Sequence, residues 1–428
     1  MRVCTAFNKM LGISGASVAG VSFGPEGIVI SLRRRRSRLA CPCGWRTWAT
    51  YDRHVRRWRH LDLAASRCYL QAEVRRLHCQ HCQRVRTEVV PWARPGARHS
   101  RDLQDVVAWL AQRMDKTSVA RLLRISWEAV ARIVTMVVAD HIDAARLEGL
   151  YRIGVDEVSY RKGHRYLTVV ADHDRDGVVV WAGEGKRAST LEAFYDELGP
   201  ERAGRLTAVS MDLGQNYRGA TARKAPQAAQ PADPFHVIQL ANHALDLVRR
   251  RTWNHMRRAN RVEKGPLGLE RSYDRRPDHV SPALNFKRAR WTLLKDAHAL
   301  EDQERAVIAA MRRDRREVWR AWRLKEELRD LYRLGRGLHP AKHLDAWLAS
   351  ACRCRIPEFV KLSQGVRTHR ADILAAVELG LSNSKLEGLN SKIRLINHRG
   401  YGHHSAAAVI AMIYLCCGGI TLDLPTGA

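Results

Sequence analysis

At residue 151 the periodicity of the chain changes, and that change limits the folds open to it. Three runs rich in β-branched and aromatic residues, "YRIGVDEVSY", "RYLTVVADHD" and "GVVVWAGEG", succeed one another, with "DRDG" at 174–177 as a turn between the second and third. A helix over about 189–198 follows, then a fourth strand, "LTAVSMD", ending at Asp212. "PADPFHV" and a helix from about 237 to 258 come next. The order β-β-β-α-β-α predicts a mixed α/β sheet covered by helices. Residues 259–380 read as almost wholly helical and highly charged, with Trp291, Trp319, Trp322 and Trp347 among them. Two last helices are expected over 384–397 and 405–416.

Upstream, residues 1–35 begin without a clear pattern, and "GVSFGPEGIVISLRRRR" then suggests a hairpin ending in an arginine run. Residues 38–92 hold the pairs Cys41/Cys43 and Cys79/Cys82, with "YLQAEVRRLHC" between them as an alternating, strand-like stretch. Residues 100–146 read as helical. Within them "VARLLRISWEAVARIVTMV" contains two short helical patterns joined at Arg124–Ser126, with Ser126 as N-cap. That is the size of a helix-turn-helix. Its second helix, Trp127–Val134, would enter a major groove, with Glu128 and Arg132 as candidate base readers. Two helices packed only for structure would show the same pattern.

Lysine and arginine number 73 against 44 acidic residues, a formal net charge of +29. The excess runs through every region rather than one tail, which points to an anionic partner, nucleic acid before any other. No convincing export signal opens the chain, and the longest apolar run, "AAAVIAMIYLCCGGI" at 406–420, is short of a membrane span. A soluble cytoplasmic protein with no membrane partner is expected, nucleoid-associated when bound to DNA. Close cysteine pairs in such a chain mean metal or free thiols. Cys352/Cys354 and Cys416/Cys417 have no matching second pair and read as ordinary buried thiols.

Asp156 in "IGVDE" and Asp212 in "AVSMD" each fall at or near the end of an apolar strand, at the rim where sheets bind ligands. Glu387 stands in "SNSKLEGLNSKIRLINHRGYG", among Lys385, Lys392, Arg394, His398 and Arg399. Ser384-x-x-Glu387 fits a capping box. On that helix Leu386, Leu389, Ile393 and Ile396 form one apolar stripe, and Glu387, Asn390, Ser391 and Arg394 form a polar one suited to metal and phosphate. Three carboxylates, if they converge, make an oxygen-ligand site for Mg2+ or Mn2+. Two such ions can serve both the attacking and the leaving oxygen at a phosphodiester. Glu157 should face away from Asp156 by strand alternation. Asp172, ending the next strand, is a competing ligand, and Asp233 and His236 are candidates for positioning water or DNA.

The blocks "GVDE", "SMDLGQNY", "DPFHV" and "SNSKLEGLNSKIRLINHRGYG" resemble those of DDE transposases from bacterial insertion sequences, more narrowly the insertion sequence L-three group, over most of the chain. The resemblance implies a ribonuclease-H-like catalytic domain whose metal ligands are Asp156, Asp212 and Glu387, with a helical insertion before the last. It also implies a zinc module on Cys41, Cys43, Cys79 and Cys82. The first pair is C-x-C rather than C-x-x-C, so His54, Cys68, His78 and His81 stand as substitute ligands. The expected division is a zinc-ribbon-like module (1–95), a helix-turn-helix region (96–148), the first part of the catalytic domain (149–258), the insertion (259–380) and a C-terminal part carrying Glu387 (381–428). The implied activity is binding of an element's terminal inverted repeats, strand cleavage at its ends and joining of the 3′-hydroxyls to target DNA, carried out by a homo-oligomer on DNA. Arg132, Asn390, Arg394 and Arg399 are the expected DNA contacts, and Arg399 and Tyr401 are alternatively packing residues. A DNA-binding protein with an inert core and a structure-selective nuclease of the same fold are the rival readings.

Overall fold

Alternation of apolar and polar residues between 16 and 87 builds the first of two sheets. The computed structural model describes residues 2–13, 15–35, 37–213, 215–263, 286, 289–333, 339–382 and 384–425. Contacts gather them into two units, one running up to Arg146 and resuming at Ile393, the other Leu147–Lys392. In the first unit, β1 (Ala16–Gly24) and β2 (Gly27–Arg34) form the expected hairpin. A short ribbon follows, β3 (Leu39–Ala40) with β4 (Arg46–Thr47). β5 (Asp52–Leu63) pairs antiparallel with β6 (Ser66–Cys79), which also takes β2 in parallel and β7 (Arg84–Thr87). Ile28, Ile30, Leu32, Trp58, Leu70, Ala72 and Val74 are buried on one face, where Trp58 meets Trp92 edge-on at 5.6 Å. The opening residues are more ordered than their pattern suggests: Val3–Leu11 is a helix that sets Phe7 into this core.

Three helices follow, Arg101–Ala111, Lys116–Leu123 and Trp127–His141, whose N-caps Ser100, Asp115 and Ser126 each accept a backbone N–H. Such caps contribute about 1 kcal/mol apiece. The last helix runs beyond the expected Val134 because Val137 and Val138 continue its buried stripe. Arg94, buried, ties the bundle together through Gln104, Asp105 and Asp140.

The second unit is the predicted mixed sheet. β8 (Arg152–Arg161), β9 (Arg165–Asp172) and β10 (Val178–Glu184) form an antiparallel meander. After the helix Ala188–Leu198 the chain returns as β11 (Ala208–Ser210), parallel to β8, giving the order β10-β9-β8-β11. Ala229 and Ala232 bridge Ala208 and Met211 in parallel, adding an extended segment beside β11. This is the ribonuclease-H-like arrangement of strands. One expectation is corrected here: Asp156 lies inside β8, not at its end, because Val158 and Tyr160 carry the buried side of the strand on to Arg161.

The helix Pro234–Glu263 shares a core with the helices from Arg290 to Leu379, through Leu245, Val248, Val318, Leu324, Trp347 and Phe359 among others. Residues 264–285, 287–288 and 334–338 of the stretch expected to be helical lie outside the described residues. No helix among the described residues is long and apolar enough to cross a membrane.

The start of the helix Ser384–Arg399 lies directly on β8. A Cβ on Gly154 would sit 2.5 Å from Leu386 Cδ1 and 2.8 Å from His173 Nε2, so any larger residue would have to push these buried side chains aside. Gly154→Ala should therefore lower the denaturant midpoint of the full chain, by about 1–3 kcal/mol of stability. Combined with Leu386→Ala it should cost clearly less than the two changes added together, a coupling read from a double-mutant cycle. Strict additivity would mean that the two residues do not touch.

Candidate functional site

Asp156 sits at the centre of the second unit's sheet. Parallel pairing runs Ala208↔Arg152, Val209↔Ile153, Ser210↔Gly154. Carried two residues further, that register brings Asp212, just past β11, beside Asp156. Burial pushes the Asp156 pKa up to about 6, and the negative charge of Asp212 adds to the rise. Asp156 Oδ1 accepts the Glu157 N–H at 2.7 Å, and Oδ2 accepts Asn390 Nδ2 at 2.5 Å.

Asp212 has a further neighbour. Its Oδ1 lies 2.7 Å from His236 Nε2, which is in turn 3.8 Å from Asp233 Oδ2. Asp233 is buried at the foot of the helix Pro234–Glu263, its backbone N–H bonded to the Met211 carbonyl. The Asp212 carboxylate raises the His236 pKa above its usual value. The motif "DPFH" is thus folded back against the strand-end acid.

Glu387 and Asn390 are one helical turn apart and share a face. Asn390 is buried against Asp156 and its Oδ1 has no hydrogen-bond partner, whereas Glu387, Ser391 and Arg394 are exposed. The helix that carries Glu387 is thereby tied to the Asp156 carboxylate at Asn390, although the ligand atoms of Asp156, Asp212 and Glu387 do not all lie within 4.8 Å of one another. The apolar stripe is as expected, with Leu386, Leu389, Ile393 and Ile396 all buried. The Ser384 side chain of the expected capping box lies outside what is described. Asp172, the competing strand-end acid, is taken up by its own turn: it accepts the Asp174 N–H at 2.8 Å and pairs with Arg175. Glu157 turns the other way from Asp156 and interacts with Tyr217 and Lys186.

In the first unit Cys41, Cys43, Cys79 and Cys82 come together, each sulfur within 4.8 Å of the others. Cys41 Sγ is 4.0 Å from Cys82 Sγ, and Cys43 Sγ is 3.5 Å from Cys79 Sγ. Four thiolates at the usual Zn–S bond length stand about 3.8 Å apart, so the set fits one tetrahedral zinc. The C-x-C spacing is accommodated by the tight β3–β4 turn, in which the Gly44 N–H donates to the Cys41 carbonyl and Gly44 adopts φ 92°. The substitute Cys68 is buried in the neighbouring hydrophobic core instead.

The other expected contacts divide. Arg132 and Glu128 are both exposed on the first turns of their helix. Arg394 is exposed, and so is Tyr401. Arg399 donates to the carbonyls of Gln112 and Ala111, closing the C-terminus of the helix Arg101–Ala111, which is the packing role.

Comparison with known proteins places the chain in a family. A family model described as "Transposase", of the ISL3 group, matches residues 153–413. Models described as the helix-turn-helix domain of transposase family ISL3 and the zinc-finger of transposase IS204/IS1001/IS1096/IS1165 match residues 88–138 and 37–82. The chain is 39% identical, over 443 aligned residues, to the transposase for insertion sequence element IS1557 of two Mycobacterium tuberculosis strains, covering 99% of this chain and 98% of that protein. It is 27% identical to the transposase for insertion sequence element IS1001 of Bordetella parapertussis, over 84% of each chain. The chain belongs to the ISL3 family of transposases, with zinc-finger, helix-turn-helix and transposase regions in that order.

Proposed function

We propose that the protein cleaves DNA strands at the ends of an insertion sequence and joins the freed 3′-hydroxyls to target DNA, with Asp156, Asp212 and Glu387 as ligands of Mg2+ or Mn2+. The observation that carries this reading is the meeting of Asp156 with Asp212, while Asn390 ties the helix of Glu387 to the same carboxylate. Two hard carboxylate donors, with the Asp156 pKa raised and with Asn390 Oδ1 lacking a hydrogen-bond partner beside them, suit a divalent cation. Such ions, when bound, would supply activation of the attacking oxygen and charge stabilisation at the leaving oxygen. Asp156 is held by Glu157 N–H and Asn390, so its orientation is set before DNA arrives. Cleavage and joining are both in-line displacements at phosphorus, so one set of acids serves both.

The zinc-finger and helix-turn-helix regions would bind the terminal inverted repeats, with Arg132 and Arg394 as DNA contacts, and two or more copies would assemble on paired ends. Neutralisation of phosphates by a chain of charge +29 makes that affinity fall steeply with salt. The four cysteines would hold a structural Zn2+.

Asp212→Asn is expected to bind repeat-end DNA as the parent does and to yield neither cut nor joined product in a strand-transfer assay with labelled ends. Cutting by this variant would remove Asp212 from the site, and cutting by the parent without joining would favour the nuclease. For the cysteine centre, metal analysis should find about one zinc per chain, lost in Cys79→Ser together with end binding. A variant that keeps its zinc would point to a different ligand set.

A further inference from the structure

Cleavage by three acids leaves the "DPFH" segment without a task, yet the fold presses it against one of them. One donor atom from each of Asp212, Asp233 and His236 lies within 4.8 Å of the other two. Donors bound to one cation at about 2.1 Å stand roughly 3 Å apart when adjacent and 4 Å apart when opposed. The observed 2.7 Å and 3.8 Å separations from His236 Nε2 match that spacing. Asp212 Oδ1 and His236 Nε2 form an ion pair at 2.7 Å, and a cation would take the place of the proton between these two atoms. All three donor atoms lie close enough to share one cation, as the donors of a chelate do. Asp233 is held for it, since its Oδ1 takes the Phe235 N–H at 3.4 Å while its Oδ2 is the oxygen toward His236.

We propose that Asp212, Asp233 and His236 form a cation site of their own, sharing Asp212 with Asp156, and that its imidazole makes it favour a first-row transition ion such as Mn2+ over Mg2+. Mg2+ demands a near-ideal shell of oxygens, while an imidazole nitrogen suits transition ions. The proposal rests on the active-site reading only through the shared Asp212 carboxylate.

The test is Mn2+ titration of the full-length, zinc-loaded chain without DNA, followed by the electron paramagnetic resonance of free Mn2+. His236→Ala should weaken the tight class of Mn2+ binding by about tenfold or more, with circular dichroism and melting temperature unchanged. Asp156→Asn should retain that class. His236→Asp, which places an oxygen where the nitrogen was, should restore Mn2+ binding and let Mg2+ compete far better than in the parent chain. Parent-like Mn2+ affinity in His236→Ala, or an unchanged Mg2+/Mn2+ preference in a folded His236→Asp, overturns the site. Loss of Mn2+ in His236→Ala alongside undiminished cutting by Asp212→Asn would leave this site standing and the active-site reading fallen. Parent-like Mn2+ binding in His236→Ala with an inactive Asp212→Asn would do the reverse.

Discussion

Two like charges on adjacent parallel strands set the terms for the second unit. Strands in a sheet stand about 4.8 Å apart, and unit charges at that distance repel by roughly 1–4 kcal/mol across the range from bulk water to a protein surface. Among the described residues no lysine or arginine relieves this, and the basic group that does face the pair is the His236 imidazole, 2.7 Å from Asp212. Burial and the Asp212 charge together raise the Asp156 pKa, and what reaches the Asp156 carboxylate is an amide, Asn390, and a backbone N–H. Repulsion kept inside a fold is a cost that a divalent cation would offset, and for that reason the register of β8 with β11 matters more here than the area of either strand.

The helix of Glu387 is placed by the same strand. Leu386 packs on Gly154 and Asn390 bonds to Asp156, so four residues of helix run beside two residues of strand. Four helical residues rise about 6 Å and two strand residues about 6.6 Å, so the two elements stay in step over this span. Lys385 holds the same end of the helix to the β9–β10 turn through Asp176, at 2.9 Å. An acid more than two hundred residues from Asp156 in sequence thus has its position fixed by a glycine, a leucine and an asparagine, none of which carries charge.

Local chemistry made much of this legible in the sequence. The β-rich runs after 151, the Ser126 cap, the β1–β2 hairpin and the clustering of two cysteine pairs all follow from residue patterns that the fold respects. What was hidden depends on contacts between distant residues. Asp156 looked like a strand end because the apolar run stops there, although the strand continues by alternation. Asp172 looked like a ligand until Arg175 claimed it, and Arg399 looked like a DNA contact until the carbonyls at the end of the helix Arg101–Ala111 took its donors. The polar stripe from Glu387 to Arg394 reads uniformly in one dimension, but only Asn390 is buried. "DPFH" gave a signal of its own, an acid and an imidazole three apart, but nothing in the spacing said that Asp212 would meet them.

The distribution of ion pairs separates the proposed ligands from the other acids. With 73 basic residues for 44 acidic ones, an aspartate or glutamate taken at random finds an arginine readily. Asp52, Asp62, Asp105, Asp140, Asp174, Asp246 and Asp296 all do. Among the described residues, Asp156, Asp212 and Glu387 pair with no lysine or arginine side chain, and the one ion pair any of them makes is that of Asp212 with His236. A guanidinium clamped on a carboxylate occupies both oxygens in a fixed fork, and a metal must then displace it. Keeping these acids clear of lysine and arginine in so basic a chain leaves packing to place the helix of Glu387 against Asp156, and Gly154, Leu386 and Asn390 provide that packing.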